Sequence, residues 1–315
     1  MAQAPPSGMT GGFLEELSGN PARRRKELVI KRIFQGTAVL SVVISAAIVL
    51  SLVGRAIDFI LAVDLSALFS PSGWFPRRGF YDLRTIIAGT FVVAGIAMIV
   101  AAPLGLGAAI YLSEYARPRL RRILKPILEI LAGIPSVVLG FFALTWISPE
   151  VVQRVFTDAT FFNMMAAGLA VGILITPLVA AVSEDALRSV PMVLREASYG
   201  LGARRMSTTV RVIIPAAVSG VVASMILAVS RAIGETMIVA LAAGATGGSA
   251  LTFDPTQPGQ TMTAAMTSLA IGSDQVRGEA LTFPSLFFVG LLLFFMTLVL
   301  NVISERFVRK VRERY

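Results

Sequence analysis

Apolar runs long enough to cross a lipid bilayer recur six times along this chain, and no other feature limits its possible folds so severely. A hydrocarbon layer of roughly 30 Å takes about 20 helical residues at 1.5 Å each. Inside it every backbone N–H and C=O must be satisfied within the segment, so the runs are helices. They fall at about 34–54, 86–112, 126–147, 161–183, 216–243 and 283–304. The chain is 55% hydrophobic and only 15% charged over 315 residues, a composition that soluble domains do not show. The expected class is an all-α polytopic membrane protein with six transmembrane helices.

Cys and His are both absent. That removes disulfide frameworks, thiolate metal sites, Ser-His-Asp triads, HExxH zinc sites and His proton relays. No cofactor is expected. No GxxxxGK[ST] occurs either, so if ATP drives this protein another chain must bind it.

Charge placement sets the expected orientation. Lys and Arg number 21 in the N-terminal segment, the loops after the second and fourth runs and the C-terminal tail, against 6 in the alternate loops. Both termini are therefore expected in the cytoplasm. The same placement, beside membrane spans and not on one soluble face, argues against nucleic acid as the target of the +9 net charge. The Pro- and Gly-rich opening MAQAPPSGMTGG reads as disordered. The first apolar run follows a basic cluster and is too long for a signal peptide.

The expected organisation is a cytoplasmic segment (1–33), a first span with its outer loop (34–85), a five-helix core (86–304) with a cytoplasmic loop at 184–215, and a basic tail (305–315). The outer loop at 55–85 gathers Trp74, Phe75 and Phe80 around Pro71 and Pro76, as an interfacial aromatic belt or as a docking surface. The last outer loop, 244–282, reads as turns with one short helix between Thr261 and Ile271. Gly133, Pro135 and Pro177 are expected to kink their spans. Glu114 and Glu129 border the basic loop at 117–125 and are expected to pair with its arginines.

The loop SEDALRSVPMVLREASYGLGARRMSTTVRVIIPAAVSG carries the most specific pattern. Pro191 suits a helix start, and Gly200 and Gly202 suit its end. A second short helix bearing Arg204, Arg205 and Arg211 leads to Pro215. From the residues alone this helix-turn-helix is either a linker lying on anionic lipid or a rigid knob for a partner protein.

EASYGLGARRMSTTVRVIIP resembles the signature loop of ABC importer permeases, Glu-Ala-Ala, three residues, Gly, nine residues, Ile-x-Leu-Pro. Glu196, Ala197, Gly202 and Pro215 match in position, while Ser198 replaces the second Ala and Val212 and Ile214 replace the aliphatic pair. The resemblance implies that Glu196, Ala197, Ser198, Gly202 and Pro215 couple to an ATP-binding subunit dimer. AIYLSEYARPRLRRILKP, EILAGIPSVVLGFFAL and SRAIGETMIVALAAG are similar to the PstC-type permeases of phosphate importers, with Leu139 in place of an aromatic. This implies a type I importer permease of the bacterial plasma membrane. It also implies a second, PstA-like permease subunit, an extracytoplasmic phosphate-binding protein and surrounding membrane lipid as partners. A PstA-type sister subunit, or a permease for molybdate, tungstate or sulfate, are the alternatives. A secondary transporter would show inverted repeats, which are not apparent.

Arg231 and Glu235 stand four residues apart inside the fifth run. Each costs roughly 2.5–3.5 kcal/mol at a helix centre. A continuous helix would stack them one turn apart, so a pair is expected in which Glu235 holds Arg231 and yields it to a passing anion. The resemblance assigns Arg231 and Glu235, with the neighbouring Thr236, to the substrate path.

Overall fold

The fold is described from a computed structural model covering residues 21–244, 248–271 and 281–311. The N-terminal stretch read as disordered lies outside the described residues, as does the end of the basic tail. The chain divides into two compact units, Met1–Leu52 and Val53–Tyr315. A long helix, α1 (Pro21–Ala62), begins in the first of them. Leu28, Ile33, Phe34, Val42 and Leu50 are all exposed on it, giving the apolar circumference of a lipid-solvated helix.

In the second unit the helices include α2 (Leu83–Ile110), α3 (Pro118–Ala132), α4 (Ser136–Phe142), α5 (Met164–Arg188), α6 (Met192–Gly200), α7 (Arg205–Thr208), α8 (Val218–Ile233), α9 (Met237–Ala242), α10 (Met262–Ile271) and α11 (Thr282–Val311). Among the described residues five helices are long and apolar enough to cross a membrane, and six if the bent pair Arg205–Ala216 and Val218–Ile233 is one span. Asp82 caps α2 by accepting from Arg84 N at 3.2 Å. Asn163 caps α5 by accepting from Ala166 N at 2.7 Å. Such side-chain acceptors satisfy first-turn N–H groups that water cannot reach.

The core is the α2–α5 pair. A Cβ on Gly168 would come within 2.7 Å of Ile96, on Gly172 within 2.8 Å of Val100, and on Gly105 within 2.6 Å of Val179. These contacts advance together along both chains, so the helices run parallel, as they must if one further crossing separates them. Small residues replace hydrophobic drive here, because lipid solvates apolar side chains as well as protein does. Ser183 and Ser224 share a buried hydrogen bond of 2.6 Å that ties α5 to α8.

Three expectations are corrected. The third span does not begin at residue 126. The amphipathic α3 ends at Gly133, Pro135 starts a new helix, and the membrane-length segment is Ser136–Val155, half of it a π-helical run from Ala143 to Val152. Gly133 and Pro135 thus separate two helices instead of kinking one, since Pro135 has no N–H to continue the ladder. The fifth span is also interrupted: α8 stops at Ile233 and α9 begins at Met237. Finally, Trp74 is neither belt nor docking surface. It is fully buried in a small hairpin pairing Trp74 with Tyr81 and Phe75 with Phe80. Its backbone bonds Ser249 in both directions at 2.8 and 3.1 Å, so one outer loop is sewn to the other. The short helix expected near 261–271 is present as α10, with Met262 N donating to Thr90 Oγ1 at 3.0 Å.

Candidate functional site

The loop at 184–215 folds as its glycines and prolines require. Pro191 is the N-cap of α6, and Gly202, with φ +77°, turns the chain where α6 ends. Gly200 is the last helical residue and needs no positive φ. After α7 the chain passes through a π-helical turn (Thr209–Ile213) and Pro215, then bends by 70° into α8. Glu196 and Ala197 face outward beside exposed Met192, Val193 and Leu201, a mixed acidic and apolar surface. Ser198 turns inward, its hydroxyl sharing a 2.8 Å bond with Thr208 Oγ1. This explains a hydroxyl where the signature has alanine: it clips α6 to α7. Pro215 is exposed at the base of the bend.

Beneath α6 lies an ionic layer. Glu114, at the end of the second span, is 3.1 Å from Arg195 Nη2. Its partner therefore comes from α6 and not from the adjacent basic loop. The arginine also donates to Val190 O at 2.7 Å and Leu187 O at 2.9 Å. Glu129 lines a cavity of about 1120 Å³ together with Glu114 and Arg195, but among the described residues no ion pair reaches it. Glu184, which the sequence reading did not single out, is 1% exposed and takes Arg121 Nε at 2.7 Å, with Lys125 and Arg188 at 3.8 and 3.9 Å. The signal for it was an acid closing the fourth apolar run.

At mid-membrane the expected Arg231–Glu235 pair is not formed among the described residues. Gly234 opens a three-residue break, Gly234 to Thr236, between α8 and α9, so the two side chains are no longer on one helical face. Arg231 is exposed to a cavity of about 560 Å³ shared with Ser230 and with Thr297 and Asn301 of α11, walled by Ala132, Leu174 and Leu227. Counting from Val218 at 1.5 Å per residue places it about 20 Å along α8. Glu235 is 6% exposed and belongs elsewhere. Its Oε1 accepts weakly from Ile238 N at 3.5 Å, and its carbonyl accepts from Thr263 Oγ1 at 2.7 Å. Thr261 and Thr263 share a further 3.0 Å bond, so Glu235 sits in a buried polar cluster with the start of α10. Thr236 lies in the break, half-buried, its hydroxyl directed at Gly234 O at 3.3 Å. A guanidinium facing this cavity without a paired acid among the described residues presents a positive charge and parallel donors to an entering anion. Thr297 and Asn301 went unnoticed in the sequence, although their spacing of four puts them on one face of the last span.

The break is held from outside by α4. A Cβ on Gly140 would meet Ile238 Cα at 3.0 Å and Leu241 Cδ1 at 2.9 Å, so this glycine lets α4 approach α9 closely. Leu139, where an aromatic was expected, packs in the core beside it.

Residues 101–313 match the family described as binding-protein-dependent transport system inner membrane component. The phosphate transport system permease protein PstC 1 of Mycobacterium tuberculosis is 31% identical over 256 residues, covering 75% of this chain and 75% of that protein. The permease protein PstA 1 of the same organism is 39% identical over a shorter stretch of 182 residues, 55% of this chain and 56% of that one. A chain from the crystal structure of a bacterial ABC transporter involved in alginate import superposes with TM-score 0.62 at 15% identity, over 92% of this chain and all of that one, which establishes the shared fold of type I importer permeases. The chain belongs to the binding-protein-dependent transport inner membrane components and, within them, to the PstC-type permeases.

Proposed function

We propose that this chain forms half of the translocation path for inorganic phosphate in an ATP-driven importer, with Arg231 as the counter-charge at mid-membrane. The observation that carries the reading is the placement of Arg231: an exposed guanidinium in an otherwise mostly apolar cavity, with no acid paired to it among the described residues. Packing alone does not repay such a charge, whereas a guanidinium offers a tetrahedral oxyanion two parallel hydrogen bonds. The names of the relatives give phosphate as the anion. Glu235 and Thr236 line the break on the outer side of Arg231. Glu235, tied to α10 and not to Arg231, acts by shaping that break.

In this reading Glu196 and Ala197 dock on one protomer of an ATPase dimer, Ser198 and Gly202 fix the shape of the docking knob, and Pro215 sets its angle to the membrane. A PstA-like second permease completes the path and an outer phosphate-binding protein delivers the anion. The basic loops contact anionic lipid, and both termini lie in the cytoplasm. The domain limits follow as 1–33, 34–85, 86–304 and 305–315.

Arg231→Gln is the test. Uptake of labelled phosphate into cells is expected to fall to background while the ATPase subunit still copurifies. Normal uptake by this variant would sink the reading, and loss of the assembled complex would return Arg231 to a structural role.

A further inference from the structure

We propose that Asn301 of α11, together with Ser230 of α8, supplies the neutral hydrogen-bond donors that receive the oxyanion at Arg231; this rests on the reading of Arg231 as part of the substrate path. The three side chains line one cavity of about 560 Å³, and α8 and α11 pack against each other directly. Ser230 Oγ donates to Asn301 Oδ1 across 3.4 Å, a long bond that is exchanged at little cost. Among the described residues the Asn301 amide N–H groups have no protein acceptor. Thr297 borders the same cavity but plays no such part, because its hydroxyl already donates to the carbonyls of Leu293 and Phe294, both at 3.0 Å.

The chemistry fits a transported anion better than a retained one. Guanidinium supplies charge and two parallel donors, and the amide and hydroxyl supply directional bonds without adding charge. A second cation beside Arg231 would deepen the well and slow release. Neutral donors satisfy the remaining oxygens while leaving the anion free to move on. The amide lies on α11, so the site spans two helices and its geometry changes whenever α8 and α11 move relative to one another.

The test uses the complete importer, with second permease, ATPase and binding protein, reconstituted into liposomes and supplied with labelled inorganic phosphate. Because the binding protein sets the outer affinity, the effect is read in the maximal rate and not in the apparent KM. Asn301→Leu is expected to lower the maximal rate about fivefold and Asn301→Asp about tenfold or more, each factor of ten being about 1.4 kcal/mol of barrier. The aspartate is nearly isosteric, yet it pairs with Arg231 and cancels the charge that the anion needs. Asn301→Gln, which keeps the donors, is expected to retain most of the rate, and all three variants to copurify with the ATPase. Wild-type rates in Asn301→Leu would overturn the proposal, and so would a smaller loss in Asn301→Asp than in Asn301→Leu, which is the order that steric packing alone gives. Normal uptake by Arg231→Gln removes the underlying reading and this one with it. Loss in Arg231→Gln with normal rates in Asn301→Leu removes this one alone.

Discussion

Glu114 and Arg195 lie 3.1 Å apart across 81 residues of sequence, and their ion pair fastens α6 to the C-terminal end of the second span. Glu114 is 5% exposed and Arg195 13%, so water solvates neither charge fully and each serves as the other's counter-ion. The pair thus links α6 to the second span, whose helix α2 packs closely on α5 at Gly105, Gly168 and Gly172.

Arg195→Ala is expected to leave the Glu114 carboxylate buried and unpaired, at a cost of about 3 kcal/mol. Arg195→Lys keeps the charge but loses the forked donation to Glu114 and to the carbonyls of Val190 and Leu187, and is expected to fall between alanine and wild type. Thermal unfolding of the detergent-solubilised complex measures the order. If lysine matched wild type, the pair would be acting as charge alone.

The two glycines of the cytoplasmic turn are expected to separate. Gly202 has φ +77° with open space around its Cβ position, so Gly202→Val pays backbone strain of about 1–3 kcal/mol and no steric clash. Gly200 is helical and equally open, so Gly200→Ala is expected to be neutral or slightly stabilising. Copurification of the ATPase with each variant reads the difference; equal loss in both would contradict a conformational role for Gly202.

Packing between α2 and α5 gives a third expectation. A valine at Gly172 must place its Cβ within 2.8 Å of Val100 and 2.9 Å of Ala97 O, so the parallel helices are pushed apart. Gly172→Val is expected to destabilise by about 1–3 kcal/mol and to lower the yield of folded permease. Gly107→Val, on the same pair at a position with nothing within 4 Å, serves as the control and is expected to cost much less.

Several features were legible because they depend on local chemistry. The length and apolarity of the runs fix membrane helices, since lipid offers the backbone no alternative partner. Pro191 and Gly202 mark the limits of α6 because a fixed φ and a left-handed φ suit few residue types. The short helix Met262–Ile271 carries only a weak periodicity in the sequence, and its contacts with Thr90 and Glu235 come from the tertiary fold. Trp74, by contrast, looked interfacial because composition does not reveal that its hairpin pairs with residue 249.

By itself the sequence determined a membrane-spanning helical chain, a helix-turn-helix loop between the fourth and fifth runs and the presence of one cation amid apolar residues at the fifth span. Only the tertiary structure decided what each ionisable group faces. Arg231 and Glu235 are spaced for an i to i+4 pair, but pairing requires an unbroken helix, and the chain breaks at Gly234 where α4 and α10 pack against the next segment. That packing, set by residues as distant as Gly140 and Thr263, hands Glu235 to the outer threonine cluster and leaves Arg231 to the cavity it shares with Asn301. Helical periodicity counts neighbours along one chain. Which charges meet is fixed by how the helices stop and where they pack.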